Sequence, residues 1–112
     1  MNNFKIIVTG GTGLLGRSLV DIFKREHEII ATYVGQYALA NDSNVQYENM
    51  DVQNVDGYKR LFVMFKPDIV IHTASIGSPD YAEKNKEYTW QINVGGTRTI
   101  LSLCGQYGSK FI

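Results

Sequence analysis

The stretch that most restricts the fold is the first one with a recognisable pattern, Phe4-Lys5-Ile6-Ile7-Val8 running into Thr9-Gly10-Gly11-Thr12-Gly13-Leu14-Leu15-Gly16. An apolar run of strand type enters a glycine-rich turn, and Leu15, Leu19, Val20 and Phe23 then recur at helical spacing. Glycines let a backbone turn tightly and bring its N–H groups close to a ligand. The helix start behind them adds unpaired donors and the positive end of a dipole, which together suit a pyrophosphate. Gly11 to Gly16 fits G-x-G-x-x-G, and Gly10, Gly13 and Gly16 fit a G-x-x-G-x-x-G variant, the spacing of a dinucleotide turn. Gly11 to Ser18 also comes within one residue of the nucleoside-triphosphate loop, but Arg17 stands where that loop needs a lysine. A dinucleotide is therefore favoured, against the plain alternative of a glycine-rich turn that holds no ligand.

The rest of the chain alternates. A helix is expected from about Leu14 to Arg25, a strand over Glu28–Tyr33, and a loop from Gly35 to Asn44 with a short helical piece around Tyr37 to Ala40. A short strand, Val45–Glu48, leads to Asn49-Met50-Asp51-Val52, and Asp56, Tyr58, Leu61, Phe62 and Phe65 mark a helix ending at Lys66 before Pro67. Pro67–Thr73 has the unbroken β-branched run of a strand covered on both faces. After the polar loop Ala74–Asp80, one long helix is expected from Tyr81 or Glu83 to Gln106, closed by Gly108, with a fifth strand beginning at Lys110. Such alternation predicts an α/β fold, a doubly wound parallel sheet of order 3-2-1-4-5 with its crevice between strands one and four. The glycine turn and Thr73-Ala74-Ser75 would face each other across it.

Composition excludes several classes. With 112 residues, 11 Lys and Arg against 11 Asp and Glu, and no like-charge run longer than two, nothing points to nucleic acid or a membrane surface. The single Cys104 cannot form an internal disulfide, and no apolar stretch approaches membrane-spanning length. Met1-Asn2-Asn3 leads straight into the first strand without a signal peptide, so a cytoplasmic location is expected. His27 reads as a solvated helix-end residue and His72, inside an apolar run, as a core histidine with a satisfied ring.

Four stretches in order carry a family resemblance: Thr9–Gly16, Asp51-Val52, His72-Thr73-Ala74-Ser75 and Asn93-Val94-Gly95-Gly96-Thr97. On them the chain resembles the N-terminal part of an extended short-chain dehydrogenase/reductase of the NAD-dependent epimerase/dehydratase superfamily. Pro79-Asp80-Tyr81-Ala82-Glu83 is similar to a stretch of the dTDP-4-dehydrorhamnose reductase branch. The resemblance implies a Rossmann-like NAD(P)-binding domain over residues 1–112. The pyrophosphate would lie on the backbone of Thr12, Gly13, Leu14 and Leu15, with Gly10, Gly13 and Gly16 shaping the turn. Asp51 and Val52 would flank the adenine, and Thr73, Ala74 and Ser75 would line the ribose and nicotinamide side. Asn93 would fix the strand-four loop from the helix. The plainer readings are a strand-end turn residue for Asp51 and an ordinary helix residue for Asn93.

Two departures from the family pattern stand out. Tyr33-Val34-Gly35-Gln36 offers neither the acidic residue that selects NAD nor a cation for a 2′-phosphate, so NADP or dual use is favoured over strict NAD selection. No tyrosine has a lysine four residues on, so the family's Tyr-x-x-x-Lys pair is absent and the chain is expected to be an inactive fragment. In the parent protein the implied reaction is reduction of a 4-keto nucleotide sugar, with epimerisation or dehydration as the alternative. A non-catalytic nucleotide-binding regulatory protein, or an interaction module that self-associates through an open sheet edge near Phe111, remain the other readings.

Overall fold

The computed structural model describes residues 3–36, 39–42 and 44–112. Five parallel strands, β1 (Lys5–Thr9), β2 (Glu28–Tyr33), β3 (Val45–Asn49), β4 (Ile69–His72) and β5 (Lys110–Phe111), form one sheet of order β3-β2-β1-β4-β5. This is the expected doubly wound order, and it leaves a crevice where the chain leaves β1 and β4 in opposite directions.

Strand periodicity divides the core. Ile6 and Val8 of β1 pack with Ile29, Ala31, Val45 and Val20 on one face of the sheet, under α1 (Leu14–Phe23). Ile7 points the other way, to Ile30, Val70, Tyr58 and Phe62 of α2 (Val55–Phe65), and Ile100, Leu103 and Cys104 of α5 (Thr97–Tyr107). Both faces of β1 are thus covered, which is why its sequence is continuously apolar rather than alternating. Each such side chain withdrawn from water contributes about 1.5–3 kcal/mol.

The long helix is where expectation and structure part. It is broken into α3 (Pro79–Lys84), α4 (Lys86–Trp90), a π-helical turn over Gln91–Gly96, and α5. Asn85 interrupts it with φ −135° and ψ 53°, its side-chain amide donating to the Tyr81 carbonyl at 3.0 Å. That local bond competes with the helical ladder. The helix begins earlier than expected because Ser78 caps it and Pro79 occupies its first turn. Smaller corrections concern element bounds. α1 stops at Phe23 rather than Arg25, β3 extends to Asn49, and β4 is confined to Ile69–His72. Half of the helical piece expected at Tyr37 to Ala40 lies outside the described residues, and Leu39 and Ala40 are not helical. His27 is not merely solvated, since its Nδ1 accepts the Phe4 N–H at 3.0 Å and its ring lies against Phe4 and Phe23. At the β5 edge, Phe111 is half-buried and Ile112 is 59% exposed.

Candidate functional site: the crevice between β1 and β4

The glycine turn is locked by contact rather than by side chains. Gly10 has φ +68°, and a Cβ there would lie 2.7 Å from Thr73 Oγ1 and 2.9 Å from the Ala74 nitrogen. Gly16 sits in the first turn of α1, where a Cβ would fall 2.0 Å from the Gly10 carbonyl oxygen. Gly11 donates to the Thr32 carbonyl at 2.8 Å and packs on Ala31. Gly13 differs from these three. It is the N-cap of α1 with φ −72°, an ordinary conformation, and a Cβ on it would meet only the Gly10 oxygen, at 3.3 Å. No side chain caps α1 and no acidic residue stands in its first turn. The helix start therefore presents backbone donors and partial positive charge toward the crevice.

The floor is a hydrogen-bond network joining β1, β4 and the helix beyond. The fully buried Thr9 accepts at Oγ1 from the Thr73 N–H at 3.0 Å and the Ala74 N–H at 3.2 Å. Its hydroxyl lies 2.7 Å from His72 Nδ1, and His72 Nε2 lies 2.9 Å from Thr97 Oγ1. Thr97 in turn donates to the Asn93 carbonyl at 2.9 Å. The Asn93 side chain clamps the loop at two points, accepting from the Ile76 N–H at 2.7 Å and donating to the Ile76 carbonyl at 3.0 Å. Burial of the His72 ring lowers its pKa below the ordinary imidazole value.

The opposite wall comes from the turn after β3. Asp51 accepts the Gln53 N–H on Oδ1 at 2.9 Å, and its carbonyl accepts the Asn54 N–H at 2.9 Å. Val52, 4% exposed, is pressed against Gly96 so closely that a Cβ on Gly96 would lie 2.5 Å from Val52 Cγ2. Beneath them Tyr58 is wholly buried and donates to Thr32 Oγ1 at 2.8 Å. Desolvation is the main cause that pushes its phenol up to about 12, the Thr32 bond opposing it and the Asp51 charge adding to it. Tyr88, on α4, is raised by burial and then by the Asp51 carboxylate.

These walls enclose about 630 Å³. Of the residues singled out in the sequence, Gly10, Thr12, Gly13, Asp51, Val52, Thr73, Ala74 and Ser75 line this space. Gly16 lies behind the turn, Asn93 acts from behind the loop, and Leu14 and Leu15 point outward, 84% and 62% exposed. The sequence reading missed Tyr81, Tyr88 and Ile92 on the broken helix, and Thr32 and Met50 on the other side. Helical spacing could not have found Tyr81 and Tyr88 together, because the break at Asn85 lies between them and they belong to α3 and α4. Among the described residues no group of three or more His, Cys, Asp or Glu side chains is placed to hold a metal ion. No helix among them is long and apolar enough to cross a membrane.

Residues 6–112 match the profile of the NAD dependent epimerase/dehydratase family. A probable dTDP-glucose 4,6-dehydratase of Sinorhizobium fredii is 31% identical over 115 residues, covering 95% of this chain and 33% of that protein. A monomeric L-threonine 3-dehydrogenase from a metagenome superposes with a TM-score of 0.83 at 29% identity, over 95% of this chain and 34% of that one. The UDP-glucose 4-epimerase of Thermus thermophilus in complex with NAD gives 0.81 at 26% identity, over 93% and 34%. The chain spans about a third of the length of the relatives it matches.

Proposed function

The chain belongs to the NAD dependent epimerase/dehydratase family, and from that premise we propose that its crevice binds a nicotinamide dinucleotide. The observation that carries the reading is Gly13, a glycine whose backbone angles any residue adopts and whose Cβ would meet a single atom, the Gly10 oxygen at 3.3 Å, at an uncapped helix start facing the crevice. A side chain there would occupy the space through which a pyrophosphate reaches the N–H groups of Thr12, Leu14 and Leu15, the Gly13 N–H being given to the Gly10 carbonyl at 3.0 Å. The residues present suit that group: Gly10 and Gly16 let the turn close, and no carboxylate stands in the first turn of α1 to repel it. In this reading Asp51 and Val52 flank the adenine, and Thr73, Ala74 and Ser75 run along the ribose and nicotinamide. When bound, the nicotinamide supplies a hydride acceptor or donor. The residues of this chain bind and orient it.

NAD is the cofactor in the family's description and the one held by the Thermus epimerase. We propose that NADP is accepted as well, because the end of β2 brings Tyr33 and Val34, not an acidic side chain, to the crevice. Residues 1–112 would be the N-terminal, cofactor-binding portion of a longer enzyme acting on nucleotide sugars, its Tyr-x-x-x-Lys pair lying outside this chain. Epimerisation or dehydration is the reaction class that the family supports best. Reduction of a 4-keto nucleotide sugar, as in the dTDP-4-dehydrorhamnose reductase branch, is the narrower reading, supported by the Asp80–Glu83 stretch on α3, whose Tyr81 lines the crevice. A non-catalytic regulatory protein would use the same crevice. Self-association of the chain through the β5 edge, beside the exposed Ile112, is a further expectation for sedimentation to test.

Thermal unfolding with added nucleotides tests the cofactor reading. A ligand at about a hundred times its Kd stabilises by about 2.7 kcal/mol. Stabilisation by NAD and NADP but not by ATP is expected. Stabilisation by ATP alone would return the turn to the nucleoside-triphosphate reading.

A further inference from the structure

We propose that His72 is a positioning residue that holds the crevice floor only while its ring is neutral, so that the floor loosens when the ring takes a proton. The inference rests on counting donors and acceptors. Thr9 Oγ1 already accepts two backbone N–H groups, from Thr73 and Ala74. A hydroxyl oxygen has two acceptor sites and one proton to give. That proton must go to His72 Nδ1, 2.7 Å away, so Nδ1 is an acceptor. At the other end of the ring, Thr97 gives its proton to the Asn93 carbonyl and therefore accepts from His72 Nε2. The only ring that satisfies both ends is the neutral tautomer with the proton on Nε2.

A second proton on the ring would turn Nδ1 into a donor aimed at Thr9 Oγ1. That oxygen would then face three donors with two lone pairs, so either the Ala74 N–H would have to let go or the Thr73 N–H would have to shift wholly onto the Thr9 carbonyl, which it already shares at 3.3 Å. The disturbance would not stay local. Thr73 also donates through Oγ1 to the Thr9 and Gly10 carbonyls, and it lies against both Gly10 and Gly16. The floor and the glycine turn are therefore one unit, with His72 at its back.

The groups facing the ring are the Thr9 hydroxyl from β1, the Thr97 hydroxyl from α5 and the Phe111 ring from β5, 6.0 Å away. The His72 backbone N–H donates to the Ile112 oxygen of the neighbouring strand end at 2.9 Å.

The test begins without ligand, on the 112-residue chain. Ring nitrogen shifts followed from pH 8 to pH 5 report the tautomer and charge of His72, and amide shifts of Thr73 and Ala74 report the floor. The expected result is an Nε2–H ring at pH 8 and amides that move together with its titration. An Nδ1–H ring at pH 8, or a floor unchanged down to pH 5, overturns the proposal. His72→Asn places an uncharged acceptor near the position of Nδ1, and its Thr73 and Ala74 amides should stay fixed across the same range. If they move as in the wild type, His72 is not the cause.

Calorimetry with NAD adds a ligand arm, which rests on the dinucleotide reading above. Wild-type affinity should fall about twofold at the pH where the ring is half protonated and about tenfold one pH unit below it, while that of His72→Asn changes less than twofold over the same range. Equal pH dependence in the two proteins contradicts the proposal. Absence of NAD binding at every pH would remove the dinucleotide reading, while the amide shifts would still decide the role of His72.

Discussion

Gly16 and Gly10 meet backbone to backbone, so that a Cβ on Gly16 would fall 2.0 Å from the Gly10 carbonyl oxygen. The first turn of α1 is thereby seated directly on the turn that precedes it. No rotamer adjustment relieves an overlap of that size, because the atom in the way is backbone. Gly16→Ala should lower stability by about 3 kcal/mol or more, at the upper end of overpacking effects. Thermal unfolding checks this. A variant that melts within a degree or two of wild type would mean that the turn is not held against α1.

Tyr58 gives the protein an alkaline limit. An unfolded tyrosine releases its proton near pH 10, whereas buried Tyr58 holds its own up to about 12. The native state therefore binds the extra proton, and its advantage is complete below pH 10 and lost as pH rises toward 12. Denaturant melts between pH 9 and pH 11.5 should show this loss, approaching about 2 kcal/mol, in the wild type. Tyr58→Phe should lose about 1–2 kcal/mol at pH 7, because Thr32 forfeits its buried partner, and should show a smaller alkaline decline.

Asn93 holds the loop after β4 through two bonds to a single residue, Ile76. Asn93→Ala should cost about 1–2 kcal/mol. Local opening would then raise hydrogen exchange at Ile76 about tenfold for each 1.4 kcal/mol lost. Unchanged exchange there would show that the loop keeps its place without the clamp.

β1, β2 and β4 were legible because each is short, mostly apolar and bounded by turn residues, and β3 because Val45 and Tyr47 alternate with polar residues. β1 and β4 are covered on both faces, so their unbroken aliphatic runs report the parallel sheet directly. The glycine turn was legible because its requirements are local, set by backbone angles and contacts within a few residues. The broken helix was not. Its apolar spacing continues from Tyr88 to Leu103, while the breaks depend on Asn85 bonding back to Tyr81, Asn93 reaching Ile76 and Gly96 pressing on Val52. Two of those three contacts are made with distant parts of the chain and leave no periodic trace. The same break decides that Tyr81 and Tyr88 face the crevice, which is why that wall was missed. The Tyr58–Thr32 pair joins residues 26 apart on different elements, beyond any local pattern.

The most direct test of the cofactor site is a calorimetric titration of the 112-residue chain and its Gly13→Val variant with NAD. Gly13 has the angles of an ordinary residue, and a Cβ there would meet one atom, the Gly10 carbonyl oxygen, at a tight 3.3 Å, so thermal unfolding of the variant is measured beside its binding. Saturable binding to the wild type, weakened at least tenfold in a Gly13→Val variant that still unfolds cooperatively, is the predicted result. Equal binding by the two proteins, or none by a folded wild type, would contradict a pyrophosphate seated on the α1 N-terminus.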